Sequence, residues 1–354
     1  DDIIKDEKFK NYDRMFENIK KDRVHKLTKE EERLVAGMDF LGGFSDNMEK
    51  ASDVDYDYGV VENSKGEKLK LTQSLYGKYM RSDDRTLRKN TFCHLNGKFG
   101  ENINMLACNY INDVKATCYF SKVRKYQSAL SAALESEEVK SDVYYLLIKM
   151  VNKHLSVLFD YFKLKQIELG FDDFYIYDAM ASTEKGEQKK YTYDEAFEVI
   201  KKALTPLGKD YLALLDRAKN ERWIDVFPNK DKRSGAFESG IYGYHPYVMT
   251  NFEGDLDSIF TLAHELGHAM HSYFSDKNQP REKSGYTIFL AEIASTTNEV
   301  LLINYLLSKA QTDEEKKSLY NKLFDEVKAT IFRQTMFAEF EEKVHAMHEA
   351  GEGL

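Results

Sequence analysis

The chain has 354 residues, 42% hydrophobic and 31% charged with only 4 prolines, a balance that fits a globular protein and excludes collagenous or low-complexity classes. Its 60 acidic residues outnumber 51 basic ones for a formal charge of -9, which argues against nucleic acid as the main partner, because phosphate backbones are bound by concentrated positive charge. The longest apolar stretches, such as residues 300–307, fall short of the roughly 20 residues that span a bilayer, so no membrane span is expected.

In chain order, Phe9, Tyr12, Met15, Phe16 and Ile19 repeat at helical spacing and predict a helix over residues 5–20. Thr28 and Glu31 form a capping-box pattern that opens the next helix. Residues 58–61 and 68–71 alternate around Gly66, the pattern of a small hairpin. From residue 82 to about 170 the period is again helical, with Leu87, Phe92, Leu95, Phe99, Tyr144, Leu147, Val151, Leu155 and Leu158 as core candidates. The three cysteines, Cys93, Cys108 and Cys118, lie on these segments without C-x-x-C spacing, so neither a disulfide framework nor a zinc knuckle is expected, and a reducing, cytoplasmic setting is. A looser stretch, residues 172–190, precedes a second capping box at Thr192 and Glu195, whose helix should stop before Pro206. Residues 222–254 carry Gly235, Gly240, Gly243 and Gly254 and apolar runs too short for helices. They predict loops with one or two strands.

The chemistry-bearing motif follows. His264, Glu265 and His268 form H-E-x-x-H on a helix opened by Asp255 or Asp257, so both imidazoles lie on one face, a turn apart. The bare motif arises by accident in a chain of this size on the order of a few times in a hundred, so a third ligand is required. Residues 289–309 predict a second, strongly apolar helix with a polar stripe: Glu292, Ser295 or Thr296, and Glu299. Glu292 is the candidate third ligand. Ser295, Thr296, Glu299 and His271 are candidates to orient the ligands. Tyr242, His245 and Tyr247, in the loop before the motif, are substrate-binding candidates. His345 and His348 lack a third partner and read as exposed helix residues.

The runs FTLAHELGH from Phe260 and AEIASTTNE from Ala291 resemble the oligoendopeptidase F group of the thimet oligopeptidase family, as do RWIDV from Arg222, KRSGA from Lys232 and FRQTMFAE from Phe332. The resemblance implies a mainly α, clam-like peptidase fold with a deep cleft. It implies one zinc ion held by His264, His268 and Glu292, with Glu265 as general base. It also implies that the strand near residues 247–251 pairs with an extended peptide substrate. A small β-sheet beside the active-site helix completes the expected fold, divided as a helical lobe over residues 1–170 and a catalytic lobe over 171–354. Family members extend further at both ends, and beyond the point matching Leu354 they carry a His- and Tyr-rich segment that stabilises the transition state. The chain therefore reads as shortened at both ends.

The expected function is zinc-dependent hydrolysis of internal bonds in short peptides. The alternative is a non-catalytic peptide-binding fragment or relative lacking that C-terminal segment. Cleavage-site preference, physiological substrate and oligomeric state are not encoded in any legible motif.

Overall fold

The computed structural model describes residues 6–38, 42–182, 189–230 and 232–354. It is mainly helical with two small sheets. Contacts gather the chain into two compact units, Asp1–Arg23 with Gly186–Leu323, and Val24–Lys185 with Phe324–Leu354. This division differs from a single cut after residue 170, because each unit takes its residues from two separate parts of the chain.

The second unit holds the long helices Arg85–Glu101, Ile103–Val123, Ser141–Lys153 and Leu155–Leu169. The last of these stops at Gly170, whose positive φ of 69° suits the left-handed cap that glycine adopts without strain. Strands β1 (Val60–Glu62) and β2 (Lys68–Lys70) form the expected antiparallel hairpin. Both capping boxes form as read, Thr28 with Glu31 in this unit and Thr192 with Glu195 in the other. The helical segment expected from residue 5 begins as a 3-10 helix, Glu7–Tyr12, before turning α-helical over Asp13–Asp22; Lys5 lies outside the described residues. Within the looser stretch, Asp178 is fully buried because Arg85 and Arg88 both donate to its carboxylate. Residues 183–188 of that stretch lie outside the described residues. Cys93, Cys108 and Cys118 are all free thiols.

The first unit is built around one continuous core that includes Phe197, Ile200, Leu215, Trp223, Ile259, Leu262, Leu266, Met270 and Leu302. At its centre runs the motif helix, Leu256–Asn278, capped by Asp255, whose side chain accepts from the Ser258 amide. Asp257, the other cap candidate, instead pairs with Lys322. The carboxylate helix, Ile288–Lys309, packs along the motif helix. Beside them lie three strands rather than one or two: β3 (Ile224–Asp225), β4 (Phe237–Ser239) and β5 (Tyr247–Met249). Their order is β3-β5-β4, with β5 parallel to β3 and antiparallel to β4. No helix among the described residues is long and apolar enough to cross a membrane.

Candidate metal centre

Close packing of the two helices is what brings the candidate ligands together. At Gly267 an added Cβ would lie 2.6 Å from the Ser295 Cα and 2.9 Å from the Ala294 carbonyl oxygen, so the backbones meet where only a hydrogen fits. Asn298, 1% exposed, donates through Nδ2 to the Ala263 carbonyl at 2.9 Å and accepts from the Tyr211 hydroxyl at 3.0 Å. It fixes the register of the carboxylate helix one residue before His264. Two hydroxyls tie the intervening loop to the motif helix, Ser272 Oγ to Tyr286 at 2.8 Å and Ser275 Oγ donating to the Ser284 carbonyl at 2.6 Å.

The result is a three-atom cluster. The His264 and His268 Nε2 atoms lie 3.1 Å apart, and Glu292 Oε2 lies 3.3 Å from the first and 3.5 Å from the second. Ligand atoms at about 2.0–2.1 Å from a tetrahedral ion are separated by roughly 3.3–3.4 Å, so the cluster has the spacing of three tetrahedral corners. These three side chains could hold a metal ion together.

The surrounding groups fall into place unequally. His264 Nδ1 lies 3.2 Å from Glu299 Oε1, which turns the ring's Nε2 toward the cluster. Ser295, fully buried, donates to Glu292 Oε2 at 2.8 Å. Thr296 donates to the Glu292 backbone carbonyl rather than to its carboxylate, so it supports the helix and not the ligand atom. His271 stacks on Tyr286 with ring centroids 3.9 Å apart, and its buried Nδ1 has no partner among the described residues. Tyr242 donates to the Gln279 carbonyl, and His245 stacks flat on Trp223 and against Tyr247. Among the described residues no hydrogen bond or ring contact joins these last three to the histidine pair.

Glu265 is 7% exposed, and burial pushes its carboxyl up to about 7. The His264 charge opposes this, while Glu238, Glu292 and Glu299 add to it. For His264, burial works to lower its pKa, but the hydrogen bond and charge of Glu299 prevail and raise it. Burial lowers that of His268.

The sheet corrects one expectation. Strand β5, expected to bind extended peptide, is central and already paired on both sides: its Val248 amide donates to the Trp223 carbonyl toward β3, and residues 247–249 pair with β4. Backbone groups alternate sides along a strand, so Val248 faces β3 while Tyr247 and Met249 face β4, opposite Ser239 and Phe237. The Glu238 N–H and C=O therefore point outward along β4, where no hydrogen bond meets them among the described residues. β4 is therefore an edge of the sheet, as β3 is on the other side. Sequence reasoning missed Glu238, Asn298 and Tyr286, because their roles depend on contacts across separate elements; a glycine inside the motif was the only local sign of the close helix crossing.

Comparison with known proteins places these features in company. Residues 78–354 match the family model described as Peptidase family M3, and residues 1–57 match one described as Oligopeptidase F. The chain is 37% identical over 353 residues to oligopeptidase PepF of Bacillus subtilis, covering 99% of this chain and 53% of that one. It is 39% identical over 344 residues to group B oligopeptidase PepB of Streptococcus agalactiae, covering 97% of this chain and 57% of the relative. The crystal structure of oligoendopeptidase-F from Enterococcus faecium superposes with a TM-score of 0.75 at 31% identity, over 99% of this chain and 57% of that one. The chain thus spans just over half the length of these relatives.

Proposed function

Because the chain belongs to peptidase family M3, we propose that it hydrolyses internal bonds of short peptides with a zinc ion held by His264, His268 and Glu292 and with Glu265 as general base. The observation that carries this reading is the convergence of two Nε2 atoms and Glu292 Oε2 at 3.1–3.5 Å, one residue from a buried glutamate. Two nitrogens and one carboxylate would give zinc the protein donor count of catalytic rather than structural sites. When bound, zinc supplies Lewis acidity, lowering the pKa of water toward about 7 and polarising a peptide carbonyl.

The protein's own groups supply the rest. The Glu265 carboxylate takes a proton from the attacking water as the oxygen–carbon bond forms, and returns it to the amine nitrogen as the carbon–nitrogen bond breaks. Glu299 and Ser295 hold His264 and Glu292 in place. An extended peptide adds to the β4 edge through the outward N–H and C=O of Glu238, the geometry of β-strand addition.

A second reading, peptide binding without turnover, would use the same outward N–H and C=O groups of β4. One experiment separates them. Cleavage of an internally quenched peptide by the zinc-loaded protein, reduced at least about 10³-fold in Glu265→Gln with zinc still bound, supports the enzyme. Peptide binding without cleavage by the native sequence supports the module.

A further inference from the structure

Glu238 presents two unused groups to one place. Its backbone N–H and C=O face the free edge of β4, as the pairing with β5 requires. Its side chain turns to the opposite class of neighbour, sharing a sheet face with Val248, which is 3% exposed against the motif helix. There the carboxylate lies beside Ser272 and against Gly240, where an added Cβ would come within 3.3 Å of Glu238 Oε1. That oxygen is buried and has no hydrogen-bond partner among the described residues.

The groups around it do not neutralise it. Burial pushes the Glu238 carboxyl above the usual carboxylate range, against a hydrogen bond from Ser272, and the charge of Asp276 adds to the rise. Its own charge reaches Glu265, which ties this face of the sheet to the proposed general base. Tyr286 is also in range but brings no positive charge. Among the described residues no Lys, Arg or His forms an ion pair with Glu238. A half-buried carboxylate amid other acids, with one oxygen unpaired, is costly to leave alone and strongly favours a cation.

We infer that Glu238 is a specificity-determining residue that selects peptides carrying a lysine or arginine at the position docked opposite it on the β4 edge. Residues directly opposite across two strands place their side chains on the same face, about 4.5–5.5 Å apart at Cβ. The substrate side chain opposite Glu238 therefore lies over its carboxylate, on the face turned toward the motif helix. A lysine or arginine there supplies the missing counter-charge, and an acidic residue meets like charge.

This inference rests on the peptidase reading, and its test keeps the two apart. Internally quenched alanine-rich octapeptides, with a single Lys or a single Gln moved through every position, are compared for kcat/KM in the native sequence, Glu238→Gln and Glu238→Asp. The expected result is one position where Lys outperforms Gln by about fivefold, the upper range for a cross-strand ion pair. The ratio falls to near one in Glu238→Gln and is retained in part in Glu238→Asp. Taking the ratio within each protein cancels any general loss from the substitution. An unchanged ratio in Glu238→Gln overturns the assignment, as does the lack of any Lys preference in the native sequence. If none of the proteins cleaves any peptide, the hydrolytic reading fails separately. Fluorescence-anisotropy titration of the same peptides, dye-labelled without the quencher, against the zinc-free proteins then decides. Tighter Lys than Gln binding that depends on Glu238 upholds the inference, and equal binding rejects it.

Discussion

The motif helix and the two helices Ser141–Lys153 and Leu155–Leu169 are all rich in apolar residues, yet they spend them differently. The motif helix buries Ile259, Phe260, Leu262, Ala263, Leu266, Gly267, Ala269 and Met270 along with Glu265. The other two bury only Val151 and Lys165, and leave Leu146, Leu147, Val157, Phe159 and Ile167 exposed. Apolar composition alone does not place a helix in a core. What distinguishes the motif helix is contact on several sides at once, from the carboxylate helix, the small sheet and the helices Tyr193–Ala203 and Lys209–Asn220. Such packing is what a ligand cluster needs, since positions fixed to within about 0.5 Å require neighbours that cannot move.

The sharpest way to break this contrast is a truncation inside the motif helix. Leu266→Ala removes a side chain with 0% exposure and should cost about 2–5 kcal/mol in urea denaturation. A loss below 1 kcal/mol would mean that this helix is no better anchored than its exposed counterparts.

The next largest effect is a pH dependence peculiar to the buried site. In zinc-free protein the folded pKa of Glu265, about 7, lies above its ordinary value of 4.5, so between these values the folded state holds a proton that the unfolded state has released. Stability from this group is therefore full below about pH 4.5 and is lost as pH rises through 7. On the order of 3 kcal/mol should disappear across that window relative to Glu265→Gln, whose side chain does not titrate. Parallel stability–pH curves for the two proteins would remove the burial argument. The smallest effect belongs to the exposed helices: Leu147→Ala, at a position 50% exposed, should change stability by no more than about 0.5 kcal/mol.

Leu147 also marks where sequence reading stops. Its helical spacing made it a core candidate, and the helix forms, but periodicity identifies a face without saying what covers it. Features decided within a few residues were legible: the capping boxes at Thr28 and Thr192, the hairpin around Gly66, and the i, i+4 histidines on one helical face. Glu292 was legible for a different reason, as a carboxylate in an otherwise apolar helix. Strand order was not, because nothing in residues 222–254 says that β5 lies between β3 and β4 and leaves them as the two edges. For the same reason Glu238 went unnoticed: its outward backbone and unpaired carboxylate exist only once β4 is laid against β5 and the motif helix.

The account stands on Glu292 completing a shared ion site with His264 and His268, so zinc affinity is its most direct test. Titration with a competing chelator at pH 7.5 should find one tight zinc per chain in the native sequence and an affinity at least about 100-fold weaker in Glu292→Ala, with the helical circular dichroism retained. Equal zinc affinity in the two proteins would contradict it.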